Sequence, residues 1–268
     1  MSDIVFEIQD AVFGYDKHST VINGLQAKIK AGEITAVLGP NGCGKTTLFA
    51  LLCKALALRS GEILFRGKPL REYRRKEFAR LVSVVHQSNA VPDDMTVKNL
   101  VAMGRTPYHN TIFGAETKAD KEIVEESMEL AGVAPFSDRP VKELSGGQMQ
   151  RVWLALAIAQ SREVLLLDEV TTYLDIRYQY EILNLIRSLN KTFGTTVVMV
   201  LHDLNQALQY ADAAIVMKDG RAVCRGKTQD VITENVIRDI YGITSEIISI
   251  ETGKYCLFNK NSLERRLV

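Results

Sequence analysis

Three glycines within six residues, followed by a lysine and two threonines, leave few backbone arrangements open to positions 39–47: Gly39, Pro40, Asn41, Gly42, Cys43, Gly44, Lys45, Thr46 and Thr47. The spacing G-x-x-x-x-G-K-[ST] is that of a phosphate-binding loop. There, successive backbone N–H groups and the Lys45 ammonium wrap a nucleotide's phosphates, while Thr46 offers an oxygen to Mg²⁺. A glycine-rich turn is the competing reading, since Pro-Asn-Gly is turn chemistry anywhere. The loop, however, requires a strand before it and a helix after it. Residues 33–38 read as a short apolar strand and residues 46–57 as an apolar helix, so both are present.

About a hundred residues later stands Leu144-Ser145-Gly146-Gly147-Gln148. A serine and two glycines at the start of a helix suit an anion, because free amides and the positive dipole end meet there. By chance the first pattern arises in roughly one chain of this length in a hundred, and the second in only a few per ten thousand. Their joint presence in this order makes coincidence a poor account. The second pattern resembles the signature sequence of ATP-binding-cassette (ABC) ATPases.

Other positions extend that resemblance from Tyr15 to His202. Residues 164–167 are an apolar run ending in Asp168 and Glu169, and strand ends are where an α/β sheet presents side chains to a ligand. Asp168 is similar to the family's Mg²⁺-holding aspartate, and Glu169 to the general base that polarises the attacking water. His202 follows the apolar run 196–201 and matches the switch histidine that contacts the γ-phosphate, with Asp203 as an N-cap. Gln87, after the strand 81–85, matches the glutamine that touches both Mg²⁺ and the attacking water. Tyr15 matches the aromatic that stacks on adenine; a core tyrosine is its alternative. His18, His86 and His109 read as ordinary histidines.

The resemblance implies an α/β fold: a P-loop NTPase (RecA-like) core with an antiparallel β layer and an inserted α-helical subdomain. One domain is expected over residues 1–268, with core and β layer at about 1–90 and 162–268 and the helical subdomain at about 91–161. It also implies a homodimer of ATPase subunits in which Ser145, Gly146, Gly147 and Gln148 of one copy close over ATP held by the loop of the other. Asp175 in Thr-Thr-Tyr-Leu-Asp would run across that interface. Such a C₂ pair carries two shared sites, and ATP and Mg²⁺ are the expected cofactors.

The residue after the catalytic glutamate is usually proline in this family and is Val170 here, which restores an N–H and frees φ. The residue before Gln87, also usually proline, is His86. Three stretches, Met-Gly-Arg-Thr-Pro-Tyr (103–108), Thr-Thr-Tyr-Leu-Asp-Ile (171–176) and Leu-His-Asp-Leu-Asn (201–205), look most like the importers of Fe(III) siderophores, haem and cobalamin. That resemblance implies an integral membrane permease pair, docked near residues 87–104, and an extracytoplasmic substrate-binding protein. It places the chain at the cytoplasmic face of the membrane. Soluble ABC ATPases of DNA repair or translation typically carry two cassettes or a long coiled-coil insert, and exporters often a fused membrane domain; none of these three features is visible. A P-loop kinase or GTPase leaves residues 144–148 unexplained.

Composition agrees. With 268 residues, 46% hydrophobic and 24% charged, the chain can bury a core. A net charge of +1 with scattered basic residues gives no footprint for nucleic acid. The densest basic stretch, 71–80, reads as a solvated helix face. Four cysteines without metal spacing read as free thiols of a reduced compartment, Cys43 being a variable loop position rather than a nucleophile. No basic segment followed by an apolar stretch opens the chain, so no export is expected. No apolar run reaches the 18 or so residues of a membrane span. Residues 4–13, 24–30 and 62–66 alternate like half-covered strands, 96–131 turn helical, and 213–217 and 221–225 flank a hairpin turn. Residues 228–241 read as one helix, with two strand-like pieces around 251–254.

Overall fold

The computed structural model describes residues 3–86, 94–109, 117–251 and 253–258. In chain order its elements are β1 (Ile4–Phe13), β2 (Ile22–Lys30), β3 (Ile34–Leu38), α1 (Lys45–Leu52), β4 (Ser60–Phe65), β5 (Lys68–Pro69), α2 (Arg75–Ala79), β6 (Val82–Val85), α3 (Val97–Ala102) and α4 (Lys118–Leu130). There follow α5 (Gly146–Gln160), β7 (Val164–Asp168), α6 (Ile176–Phe193), β8 (Thr196–Val200), α7 (Leu204–Tyr210), β9 (Ala213–Lys218), β10 (Arg221–Lys227), α8 (Thr228–Val231), α9 (Glu234–Tyr241), β11 (Ser245–Ile250) and β12 (Gly253–Phe258). Two units divide the chain, Met1–Arg71 with Val198–Val268, and Glu72–Val197; the cut falls inside β8.

In the first unit, β2, β1, β4 and β5 form an antiparallel sheet in that order. Ile22, Leu25, Ala27 and Ile29 of β2 are buried, while Asn23, Gly24, Gln26, Lys28 and Lys30 are exposed, so the alternation read in the sequence puts one face on the core. Strand β3 is buried at all five positions and pairs in parallel with β9, which β10 joins antiparallel through the Asp219-Gly220 turn. Continuous apolar runs of this kind belong to strands covered on both faces. Near the C-terminus, β11 and β12 form a separate hairpin.

The segment 228–241 is two helices, not one. Ile232 is extended and Thr233 caps a new helix, its hydroxyl accepting the Val236 N–H at 3.3 Å. The local hydrogen bond offered by a threonine outcompetes helix continuation there. Helix α1 stops at Leu52, short of the expected residue 57, because Lys54 adopts φ 62.

In the second unit, β6 and β7 pair in parallel, each with apolar side chains inward. Helices α3, α4 and α5 share a core of Val97, Leu100, Val101, Val124, Met128, Val152, Ala155 and Ile158, joined by Leu189 of α6. Capping residues set the helix starts: Thr96 for α3, Thr117 for α4 and Ser145 for α5 each accept an amide of the first turn. A buried ion pair ties the insert together. Arg105 donates to Asp120 at 2.9 Å and to the Ala159 carbonyl at 2.6 Å, and the Tyr108 ring lies 3.7 Å from its guanidinium carbon. Among the described residues no helix is long and apolar enough to cross a membrane.

Candidate nucleotide site

In the first unit, Gly39 to Thr47 link the C-terminal end of β3 to the first turn of α1. Gly44 is the N-cap of α1 at φ 103, a backbone conformation that favours glycine, and a β-carbon there would lie 2.9 Å from Ile22 Cδ1. The loop folds on itself. Lys45, 5% exposed, donates from Nζ to the carbonyls of Gly39 at 2.9 Å and Pro40 at 3.1 Å, while the Gly220 N–H from the β9–β10 turn supports the Cys43 carbonyl at 3.1 Å. Asn41, Gly42 and Thr46 are exposed, and among the described residues nothing lies within 4 Å of where a side chain at Gly42 would start. This is an open cradle of amides with one cation folded beneath it.

Cys43 is buried, which pushes its thiol pKa up against the opposing pull of Lys45. It is thus held as a thiol, and nucleophilic chemistry is not its role.

Tyr15 is 67% exposed, so it is not a core residue; its hydroxyl lies 3.2 Å from Thr47 Oγ1 and its ring meets Phe13 edge-on at 5.1 Å. The loop behind it is fixed by Arg59, which donates to the carbonyls of Asp16 and Ser19, and by Asp16, whose carboxylate accepts the His18 and Ser19 amides at 2.8 Å. An aromatic face is thereby presented to solvent beside the loop's helix. His202, also exposed, follows β8, and Asp203 caps α7 by accepting from Asn205 and Gln206.

In the second unit, Asp168 ends β7, 5% exposed, and Glu169 follows with φ 52. That left-handed conformation is uncommon for a non-glycine residue, and strain of this kind gathers at functional positions. It is held on the far side by Val170, 2% exposed, and by the Thr172 N–H, which donates to the Glu169 carbonyl at 3.1 Å.

Ser145 and Gln148 form a reciprocal pair at the start of α5: the Gln148 N–H donates to Ser145 Oγ at 3.3 Å, and the Ser145 N–H to Gln148 Oε1 at 3.0 Å. One amide expected to face an anion is thus taken by the cap. Gly146 and Gly147 follow in the first turn of α5, and a β-carbon on Gly147 would meet the Tyr178 ring of α6 at 2.5 Å. Asp175 caps α6 through its main chain, accepting the Gln179 N–H at 3.0 Å. Just before it, Tyr173 has φ 64 and is 93% exposed. Gln87 lies outside the described residues.

The sequence reading missed three features. Tyr178 explains Gly147. Glu181 joins α5 to α6, accepting from Arg151 at 2.8 Å and Arg177 at 2.9 Å, and Arg177 with Arg151 holds its carboxyl below the usual range. Arg105 and Tyr108, first read as subgroup markers, belong to the buried ion pair; the spacing to Asp120 gives no local signal for it. Elsewhere in the first unit a cavity of about 490 Å³ opens near the N-terminal halves of β3 and β9, away from the loop. Opposite charges such as Glu7 and Lys28 pair there, and we place no site in it.

Comparison with known proteins decides the family. The ABC transporter family model matches residues 22–172. The chain belongs to the ABC transporter family. As an ABC protein it is an ATP-binding subunit and an ATPase. It is 40% identical to the ferric enterobactin transport ATP-binding protein FepC of Escherichia coli (strain K12), over 90% of this chain and 88% of that one. Identity to the iron(3+)-hydroxamate import ATP-binding protein FhuC of Bacillus subtilis (strain 168) is 38%, over 85% of each. Among solved ABC structures, cbiO1 of Clostridium perfringens, part of the transporter complex cbiONQ, superposes with TM-score 0.77 at 29% identity, covering 89% of this chain and 94% of that one. The ADP conformation of MJ1267, an ATP-binding cassette at 22% identity, shares the fold with TM-score 0.79 over 89% and 98%.

Proposed function

We propose that this ATPase energises uptake of an Fe(III)-siderophore as the nucleotide-binding subunit of an importer. The supporting observation is that relatives named for ferric enterobactin, iron(3+)-hydroxamate and petrobactin are 38–40% identical over at least 85% of the chain. In this reading two copies pair on the cytoplasmic face of the membrane, against an integral permease pair fed by an extracytoplasmic binding protein. The chain is one cassette, with its helical subdomain at about 91–161.

Each site residue then has a role. The amides of residues 42–47 and the Lys45 ammonium bind the phosphates, and Tyr15 stacks on the base. Glu169 accepts a proton from the attacking water, and His202 and Gln87 orient the γ-phosphate and that water. Ser145, Gly146, Gly147 and Gln148 close from the second copy, beside Asp175. Thr46, Asp168 and Gln87 are the residues that would hold Mg²⁺. Among the described residues no group of three or more His, Cys, Asp or Glu is arranged for a metal. A hydroxyl and a carboxylate are each oxygen donors of the kind Mg²⁺ takes, since this ion binds one or two carboxylates and completes its shell with phosphates and water.

Reconstitution with the permease and with loaded binding proteins tests the substrate. Stimulation of hydrolysis by a ferric-siderophore-loaded binding protein is expected; stimulation only by a cobalamin- or haem-loaded one overturns the assignment. Glu169→Gln, which keeps shape and removes the base, tests the chemistry. Turnover should vanish while ATP binding persists and a dimer accumulates.

A further inference from the structure

The basic stretch 71–80 is α-helical only over α2, from Arg75 to Ala79. Phe78, 5% exposed, buries one side of this short helix and meets the Tyr73 ring at 6.2 Å, while Arg74, Arg75, Lys76, Glu77 and Arg80 are exposed. Two of these cations reach the turn 103–108 and the residue after it: Arg80 donates from Nε to the Pro107 carbonyl at 2.8 Å, and Lys76 donates to the His109 carbonyl. The turn itself exposes apolar side chains, Met103 at 52% and Tyr108 at 36%. We propose that α2 and the turn 103–108 form a docking surface for the anionic headgroups of a lipid membrane.

Positive charge is in excess on α2 and its flanks. Within residues 72–80 four cations stand against two carboxylates, Glu72 and Glu77, and the Glu77 carboxylate accepts the Arg74 N–H at 3.3 Å in the first turn of the helix. Among the described residues no ion pair involves Arg74, Arg75, Lys76 or Arg80, whereas Arg71 just upstream pairs with Glu62 at 3.1 Å. Carbonyls carry no net charge, so the bonds at Pro107 and His109 fix Lys76 and Arg80 in place without neutralising them. The platform beneath is braced by side chains of the same unit. Gln160 of α5 donates to the Ala79 carbonyl at 2.9 Å and the Val82 carbonyl at 3.1 Å, and the Tyr108 hydroxyl donates to the Gln160 carbonyl at 2.9 Å. Cations beside exposed tyrosine and methionine make an interfacial surface, in which charge draws the headgroups and apolar side chains enter the boundary with the acyl chains. An acidic protein segment would call on the cations alone. Each lysine or arginine near an anionic leaflet strengthens binding by about fivefold, so four cations supply several hundredfold.

The inference rests on the reading that the chain works at the cytoplasmic face of a membrane, but its test needs only the purified full chain. Sedimentation with vesicles of phosphatidylcholine alone, and of phosphatidylcholine mixed with phosphatidylglycerol, measures the attraction. Binding to the mixed vesicles should be at least about tenfold tighter and should weaken as salt is raised; equal binding to both overturns the proposal. Arg74→Gln with Arg75→Gln keeps Phe78 and the carbonyl-bound cations, and should weaken binding to the mixed vesicles by about ten- to thirtyfold. Affinity within about twofold of the unaltered chain overturns the proposal. Arg221→Gln with Lys227→Gln removes the same charge from β10 and should leave binding within about twofold. An equal loss there overturns the proposal, because net charge alone would then drive the attraction. If the Arg74 and Arg75 variant keeps its vesicle binding but loses its hold on the permease in phosphatidylcholine nanodiscs, the partner is an acidic protein segment and the proposal falls. If the unaltered chain hydrolyses no ATP or joins no permease, the importer reading fails instead, and the vesicles still decide what the surface binds.

Discussion

A β-carbon placed on Gly147 would lie 2.5 Å from Cδ1 of Tyr178, so the second glycine of the signature segment is fixed by packing within its own chain. Gly147→Ala should therefore destabilise the protein by about 1–3 kcal/mol, the cost of overpacking, although alanine is the better helix former. Tyr178→Ala in the same chain should recover much of that loss. Urea denaturation of the two single variants and the double variant measures the coupling; strict additivity of their effects contradicts it.

Lys45 donates from Nζ to the Gly39 and Pro40 carbonyls. Lys45→Met, which keeps the stem and removes the charge, should weaken ATP binding by about 10- to 100-fold, the value of charge-assisted bonds. Fluorescent-nucleotide titration is the check.

Glu169 sits at φ 52, a conformation glycine adopts without strain. Glu169→Gly should relieve about 1 kcal/mol of strain and raise the nucleotide-free melting temperature by about 2–4 °C while eliminating turnover. Glu169→Gln should lose turnover without that gain. Equal melting temperatures for the two variants would show that the turn imposes no strain.

Asp120 carries a pH dependence of stability. Burial pushes its carboxyl up, but hydrogen bonds from Thr117 and Arg105, and the Arg105 charge, prevail and hold it at about 2, below the ordinary 3.8 of an aspartate. A depressed folded-state pKa gives stability that is complete above the unfolded pKa and lost as pH falls through the folded one. Denaturation between pH 4 and pH 2 should show about 2 kcal/mol of loss traceable to this group. Asp120→Asn should flatten that part of the curve at a lower overall stability.

Much of the site could be read because its chemistry is local. A loop of glycines, an apolar run ending in two acids and a serine before two glycines each announce themselves within ten residues, and Asp203 capping α7 follows the same short-range logic. Long-range partners carry no such mark. Nothing near Arg105 in the sequence announces Asp120, because a buried ion pair depends on how distant elements are stacked. The break between α8 and α9 was hidden for a different reason: the apolar spacing of 228–241 runs on across Thr233, while the threonine's own hydrogen bond ends the helix.

In the proposed pair of copies, the cap at Ser145 would bear on how one copy recognises the nucleotide of the other. Because Ser145 Oγ already accepts the Gln148 amide, an oxyanion brought to this helix exchanges one acceptor for another instead of filling an empty place. Its net gain is a difference between two bonds. Discrimination between a triphosphate and a shorter anion at this surface then follows from how many amides each can reach at once, rather than from the strength of any one contact.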